Sequence, residues 1–153
     1  MRETPATLRS EGSRSRRTCP DGPPRILMIE DDDADAYILE RLLRTAAGGK
    51  DYAIERVDML NAGLQRLSES GFDVLLVDLN LPDSSGLDTF RRLSASAPEI
   101  GVIILSGRED ESIAVRLIDE GAHDYLVKGR FDGPLLIRAI RQVIDPPLPP
   151  LVH

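Results

Sequence analysis

Four short apolar runs in this chain each stop at a polar group. Ile26-Leu27-Met28-Ile29 ends in Glu30-Asp31-Asp32, Val74-Leu75-Leu76-Val77 in Asp78, Val102-Ile103-Ile104-Leu105 in Ser106, and Tyr125-Leu126-Val127 in Lys128. An unbroken run of β-branched and aliphatic residues predicts a strand buried on both faces, as in a parallel sheet covered by helices. Between the runs the apolar spacing changes to that of helices. Asp33 predicts a cap for a helix carrying Ile38, Leu39, Leu42 and Leu43, ended by Gly48-Gly49. A weaker strand from Tyr52 to Val57 precedes a helix over about Asn61 to Ser68. The turn Leu81-Pro82-Asp83-Ser84-Ser85-Gly86 leads into a helix with Leu87, Phe90 and Leu93. A loop from Gly107 to Asp110 leads into one with Ile113, Leu117 and Ile118, closed at Gly121. Gly129 leads to the last helix, with Leu136, Ile137, Ile140, Val143 and Ile144 on its apolar face.

This alternation predicts five βα units, an α/β fold with right-handed crossovers and helices on both faces of the sheet. Five units in so short a chain favour the flavodoxin-like (βα)5 sandwich, a five-stranded parallel sheet of order 2-1-3-4-5. Ligands in such sheets bind at the carboxyl edge where the order reverses, beside strands one and three. Asp31 and Asp78 stand there.

Composition then bounds the picture. With 153 residues the chain is expected to form one domain, over residues 25 to 144. Residues 1 to 24 are polar and Arg-rich and are expected to be a disordered tail; 145 to 153 are a Pro-rich tail. The net charge is −7; the first 24 residues carry +2, which leaves −9 for the remainder. An acidic body repels phosphates and disfavours nucleic acid, and the arginines at 14, 16 and 17 leave too small a footprint to change that. No apolar run approaches the roughly 18 residues of a membrane helix, nor does Met1 to Arg17 hold a secretory signal, so a cytoplasmic protein without a membrane partner is expected. The single Cys19 cannot form an internal disulfide and reads as a free thiol.

The candidate chemistry lies at the four strand ends. Glu30, Asp31 and Asp78, if brought together, repel one another unless a cation sits among them. Mg2+ suits one or two carboxylates, keeps several waters and leaves room for phosphate oxygens. Lys128 adds a point charge that can pair with a carboxylate at rest and with a phosphoryl oxygen later, and Ser106 adds a donor hydroxyl. The nucleophile in such a set is an Asp carboxylate forming an acyl phosphate, and Asp78 ends the central strand. Each signal alone has an ordinary reading: acids after a strand cap helices, as Asp32 and Asp33 could, and a lone Ser or Lys there is a turn or solvated residue.

The segments Ile26 to Asp32, Asp73 to Pro82 with Gly86, Ile103 to Gly107, and Gly121 to Gly129 together resemble the receiver domain of two-component response regulators. The resemblance implies that Asp78 accepts a phosphoryl group from a histidine kinase or phosphotransfer protein. It implies that Asp31 and Asp78 bind Mg2+ (or Mn2+), Glu30 through a water and Asn80 through its backbone carbonyl. Ser106 and Lys128 would contact the phosphoryl oxygens. Ser106 and Tyr125 would form the switch, changing the face of the fourth helix, fifth strand and fifth helix that meets a downstream protein. Asn80 and Arg108 stand where the lifetime of the acyl phosphate is set. Gly129 departs from the commonest pattern, a Pro after the Lys, and leaves the aim of Lys128 open.

Few residues follow Ile144, so a stand-alone receiver is expected, with no recognition helix for DNA and no enzymatic activity beyond its own phosphorylation and dephosphorylation. A homodimer is open, and so is a receiver used as a phosphorylation-independent docking module. An aspartate-nucleophile phosphatase is disfavoured, because Asn80 cannot supply the acid for a leaving group. A nucleotide module is disfavoured by the absence of a Gly-rich loop after Ile29.

Overall fold

The computed structural model describes residues 22–46, 51–107 and 110–146. Most of both tails, Gly48-Gly49 and Arg108 lie outside the described residues. Strands β1 (Arg25–Ile29), β2 (Ala53–Val57), β3 (Val74–Asp78), β4 (Gly101–Ser106) and β5 (Asp124–Val127) form one parallel sheet of order β2-β1-β3-β4-β5. Helices α1 (Asp33–Ala46), α2 (Leu60–Glu69), α3 (Leu87–Ser96), α4 (Glu111–Asp119) and α5 (Gly133–Ile144) follow the strands in turn. The expected architecture and strand order are therefore present. One feature was not foreseen: within the turn after β3, Asn80–Leu81 and Ser84–Ser85 pair as a small antiparallel hairpin.

The unbroken apolar runs are explained by the two layers they face. Side chains alternate across a strand. Ile26, Met28, Val74, Leu76, Ile103 and Leu105 pack with Leu39 and Leu43 of α1 and Leu136, Ile140 and Val143 of α5. Leu27, Ile29, Leu75, Val77, Val102 and Ile104 face the other way, onto Leu60 of α2, Phe90 and Leu93 of α3 and Leu117 of α4. Every residue of β3 is buried, Asp78 included, as expected of the middle strand.

Two helical expectations need correction. In α1, Leu39 and Leu43 are buried and Leu42 packs against them, but Ile38 is 54% exposed, as is Ile118 of α4 at 44%. Four apolar positions span a wider sector than the sheet covers, so the outermost one faces water. Asp33 is not the cap of α1. The Asp32 carboxylate accepts from the Asp35 backbone N–H at 3.0 Å, the usual reach from N-cap to N3, while Asp33 pairs with Arg56 at 2.8 Å. At α5, Asp132 accepts from Leu135 N at 3.0 Å and the expected apolar face is buried throughout.

Helices α1 and α5 approach closely because Gly133 opens α5. A Cβ there would stand 2.6 Å from Ala46 Cβ and 3.3 Å from the Leu42 carbonyl oxygen, neither of which can rotate aside. Gly133→Ala should therefore push the helices apart and lower unfolding free energy by about 2 kcal/mol, the usual cost of overpacking. Leu135→Ala, at an exposed position of the same turn, should stay within about 0.5 kcal/mol of the parent. Urea denaturation of the three proteins checks this; equal midpoints would show that the approach is not tight.

Candidate functional site

The polar groups that end the strands meet at the carboxyl edge. Glu30 continues β1: its N–H donates to the Val57 carbonyl at 3.0 Å, and its side chain is wholly buried. Asp78 closes β3 opposite Leu105, and Ser106 closes β4 opposite Val127, both buried. Glu30, Asp31 and Asp78 each place a carboxylate oxygen within 4.8 Å of the others, Asp31 from an exposed position at the rim.

Lys128 reaches into this cluster from the end of β5. Its backbone N–H donates to the Ser106 carbonyl at 2.7 Å, which ties the two strand ends together. Its Nζ lies 2.7 Å from Glu30 Oε1, 2.9 Å from Asp35 Oδ2 and 3.1 Å from Asp78 Oδ2. The next residue, Gly129, has φ +82°, a left-handed conformation that a proline ring cannot adopt. The lysine is thus aimed by the carboxylates it meets.

The charges shift one another. Burial pushes the Glu30 carboxyl up to about 7, against the opposing pull of Lys128 and the Asp32 N–H. Burial would lower the Lys128 pKa, but bonds to Glu30, Asp35 and Asp78 outweigh it and hold the ammonium above its ordinary value. The cluster holds four carboxylates, Glu30, Asp31, Asp35 and Asp78, against one ammonium that contacts three of them, so it remains net negative. Glu30 Oε1 is buried and, although ion-paired, has no directed hydrogen bond. A buried carboxylate oxygen whose one close partner is the shared ammonium, beside two more carboxylates, is a donor set for a hard divalent ion such as Mg2+.

Tyr125 is half-buried and packs with the core layer under α2, α3 and α4. Asn80 is exposed, and its N–H donates to Asp78 Oδ1 at 3.2 Å. His123 is exposed, its N–H bonded to the Val102 carbonyl at 2.8 Å.

Sequence reasoning missed three contributors. Asp35 is a lysine partner in the first turn of α1, beside the buried Ala36, and no local pattern marks it because Lys128 lies far along the chain. Asp83 accepts from the N–H groups of Leu60 and Asn61 at 2.8 and 2.9 Å, capping α2 from the loop after β3. Burial opposes its ionisation, but those backbone bonds prevail and hold its pKa below the ordinary value. Thr89, wholly buried, donates to the Leu79 carbonyl at 3.1 Å and meets Ser84 Oγ at 2.8 Å, pinning the same loop to α3. No periodicity announces the last two: Asp83 reaches an element more than twenty residues earlier, and the Thr89 bonds, though local, run from a helix to the turn before it.

Comparison with known proteins agrees with this geometry. The cell cycle transcriptional regulator CtrA of Caulobacter vibrioides is 34% identical over 104 residues, 68% of this chain and 43% of that protein. The cell cycle response regulator CtrA of Brucella ovis is 33% identical over 114 residues, 74% of this chain and 47% of its own length. The chain therefore spans less than half the length of these relatives. Among solved structures, a response regulator receiver domain protein from Clostridium thermocellum superposes with a TM-score of 0.68 at 29% identity, covering 80% of this chain and 94% of that one. The profile of the response regulator receiver domain matches residues 26–143. That match takes in all five βα units and every strand end described above, so this chain belongs to the response regulator receiver family of two-component signalling.

Proposed function

We propose that Asp78 accepts a phosphoryl group from a histidine kinase or a histidine phosphotransfer protein in an Mg2+-dependent reaction, and that the modified receiver, residues 25 to 144, changes a protein-binding face. The observation that carries this reading is the position of the Asp78 carboxylate: it is buried at the end of the central strand, 3.1 Å from the Lys128 ammonium and within the carboxylate cluster. Asp78 oxygen attacks phosphorus, and the bond from phosphorus to the donor's leaving atom breaks, with the electron pair departing on the leaving group. Lys128 neutralises charge on the phosphoryl oxygens, and the Ser106 hydroxyl donates to another of them. Asp31, Asp78, Glu30 through a water and the Asn80 carbonyl would hold the ion. When bound, Mg2+ supplies positive charge that offsets the carboxylates and the spreading charge of phosphoryl transfer.

The half-buried Tyr125 and the buried Ser106 are the proposed switch pair. Helix α4, β5 and α5 form the face that answers, and a downstream protein or a second receiver is its partner. Among the described residues no helix is long and apolar enough to cross a membrane. Asn80, beside Asp78, is a residue proposed to set the lifetime of the acyl phosphate; Arg108 has the same proposed role.

Incubation with acetyl phosphate and Mg2+, followed by intact-mass measurement, tests the central step. Wild type should gain one phosphoryl group, and Asp78→Asn, or wild type with chelator, should gain none. Equal modification of wild type and Asp78→Asn would refute it.

The Glu30 shift adds a pH dependence. Because its folded pKa is raised from 4.5 to about 7, Glu30 favours the metal-free fold most below pH 4.5, and that contribution is lost as pH rises through about 7. A cation needs the ionised form, so protons compete with it. With a Glu30 pKa of about 7, Mg2+ affinity measured by calorimetry should fall roughly tenfold from about pH 8 to about pH 6. Glu30→Gln should flatten this slope; an unchanged slope in that variant would assign it to another group.

A further inference from the structure

The Lys128 ammonium has three N–H donors, and three carboxylates surround it. Glu30 and Asp78 also belong to the cluster suited to a cation; Asp35 does not. It stands on the first turn of α1, four residues after Asp31, with Oδ2 at 2.9 Å from Nζ. A cation that draws Glu30 and Asp78 toward itself leaves Asp35 as the carboxylate still bonded to the lysine.

The backbone alone aims Lys128 loosely. A lysine stem has four methylenes, and little but its terminal contacts selects among its rotamers. Beyond it, Gly129 takes φ +82° and brings no side chain of its own to pack beside the lysine. The Lys128 side chain is nevertheless only 18% exposed, held inward by its ion pairs.

We propose that Asp35 is a positioning residue: it holds the Lys128 ammonium where it meets the phosphoryl oxygens on Asp78, before and after a cation binds. This inference rests on phosphoryl acceptance by Asp78. A competing account is purely structural, since an acid in the first turn favours a helix through its dipole. Asp33 separates the two. It lies in the same first turn, is 93% exposed and pairs with Arg56 rather than Lys128.

The test compares wild type, Asp35→Ala, Asp35→Glu and Asp33→Ala by two readouts. Displacing a charge-neutralising group by about an ångström slows transfer steeply, so at saturating Mg2+ and acetyl phosphate Asp35→Ala should take up phosphoryl about tenfold more slowly. Asp35→Glu should recover part of that rate, and Asp33→Ala should keep the wild-type rate. In metal-free protein, the Lys128 Nζ cross-peak in 1H–15N spectra should be protected from exchange in wild type and Asp33→Ala and lost in Asp35→Ala. Wild-type uptake by Asp35→Ala, or a cross-peak that survives in it, overturns the proposal. If no protein, wild type included, takes up a phosphoryl group, the reading of Asp78 fails; the cross-peak then decides by itself whether Asp35 holds the lysine.

Discussion

One ammonium set among four carboxylates governs the carboxyl edge of this sheet. Glu30 is wholly buried, and an ionised carboxylate in that position is costly unless it is paired. Lys128 meets that need at 2.7 Å while also bonding Asp35 and Asp78. Its single charge leaves the cluster net negative. Burial, more than that imbalance, raises the Glu30 pKa, while the excess of carboxylate makes the cluster a donor set suited to a divalent cation. Under the proposed function, attraction for a phosphoryl group depends on a metal, because acids outnumber the base.

The scaffold earns this arrangement by keeping polar atoms out of the sheet interior. With helices on both faces, β1 and β3 are buried along their apolar lengths, and the nearest places for charge are the strand ends. Main-chain bonds then lock those ends in register. Glu30 N–H meets the Val57 carbonyl, Leu79 N–H meets the Leu105 carbonyl at 2.9 Å, and Lys128 N–H meets the Ser106 carbonyl. The loop after β3 is held from two sides, by Thr89 and by Asp83, so the residue following the proposed phosphoacceptor is not free to drift.

Anchoring is uneven around the sheet, and the unevenness bears on the proposed switch. Helix α5 buries Leu136, Ile137, Ile140, Val143 and Ile144, whereas α4 buries Leu117 alone and leaves Val115 and Ile118 in water. Elements with few buried apolar contacts open and shift at low cost. Helix α4 follows directly on the loop after Ser106, and Tyr125 on the next strand packs in the same core layer, only half-covered. The proposed change of charge at Asp78 therefore has, close by, a lightly packed helix to act on.

Much of this could be read from residues alone. Four apolar runs ending in Glu30-Asp31, Asp78, Ser106 and Lys128 determine a parallel α/β sheet and put these polar groups on one edge, because side-chain alternation and two-sided burial leave a strong periodic signal. Local rules failed where two signals overlapped, as with Asp32 and Asp33 at the start of α1 or the outermost apolar residue Ile38. What only the tertiary structure decided is how separate segments meet: Asp83 capping α2, Thr89 pinning the loop after β3, and Asp35 joining Glu30 and Asp78 around the lysine. The Asp35 and Asp83 contacts bridge residues far apart in sequence, the Thr89 bonds depend on the path of a non-periodic turn, and a one-dimensional pattern carries no information on which of these polar atoms come together.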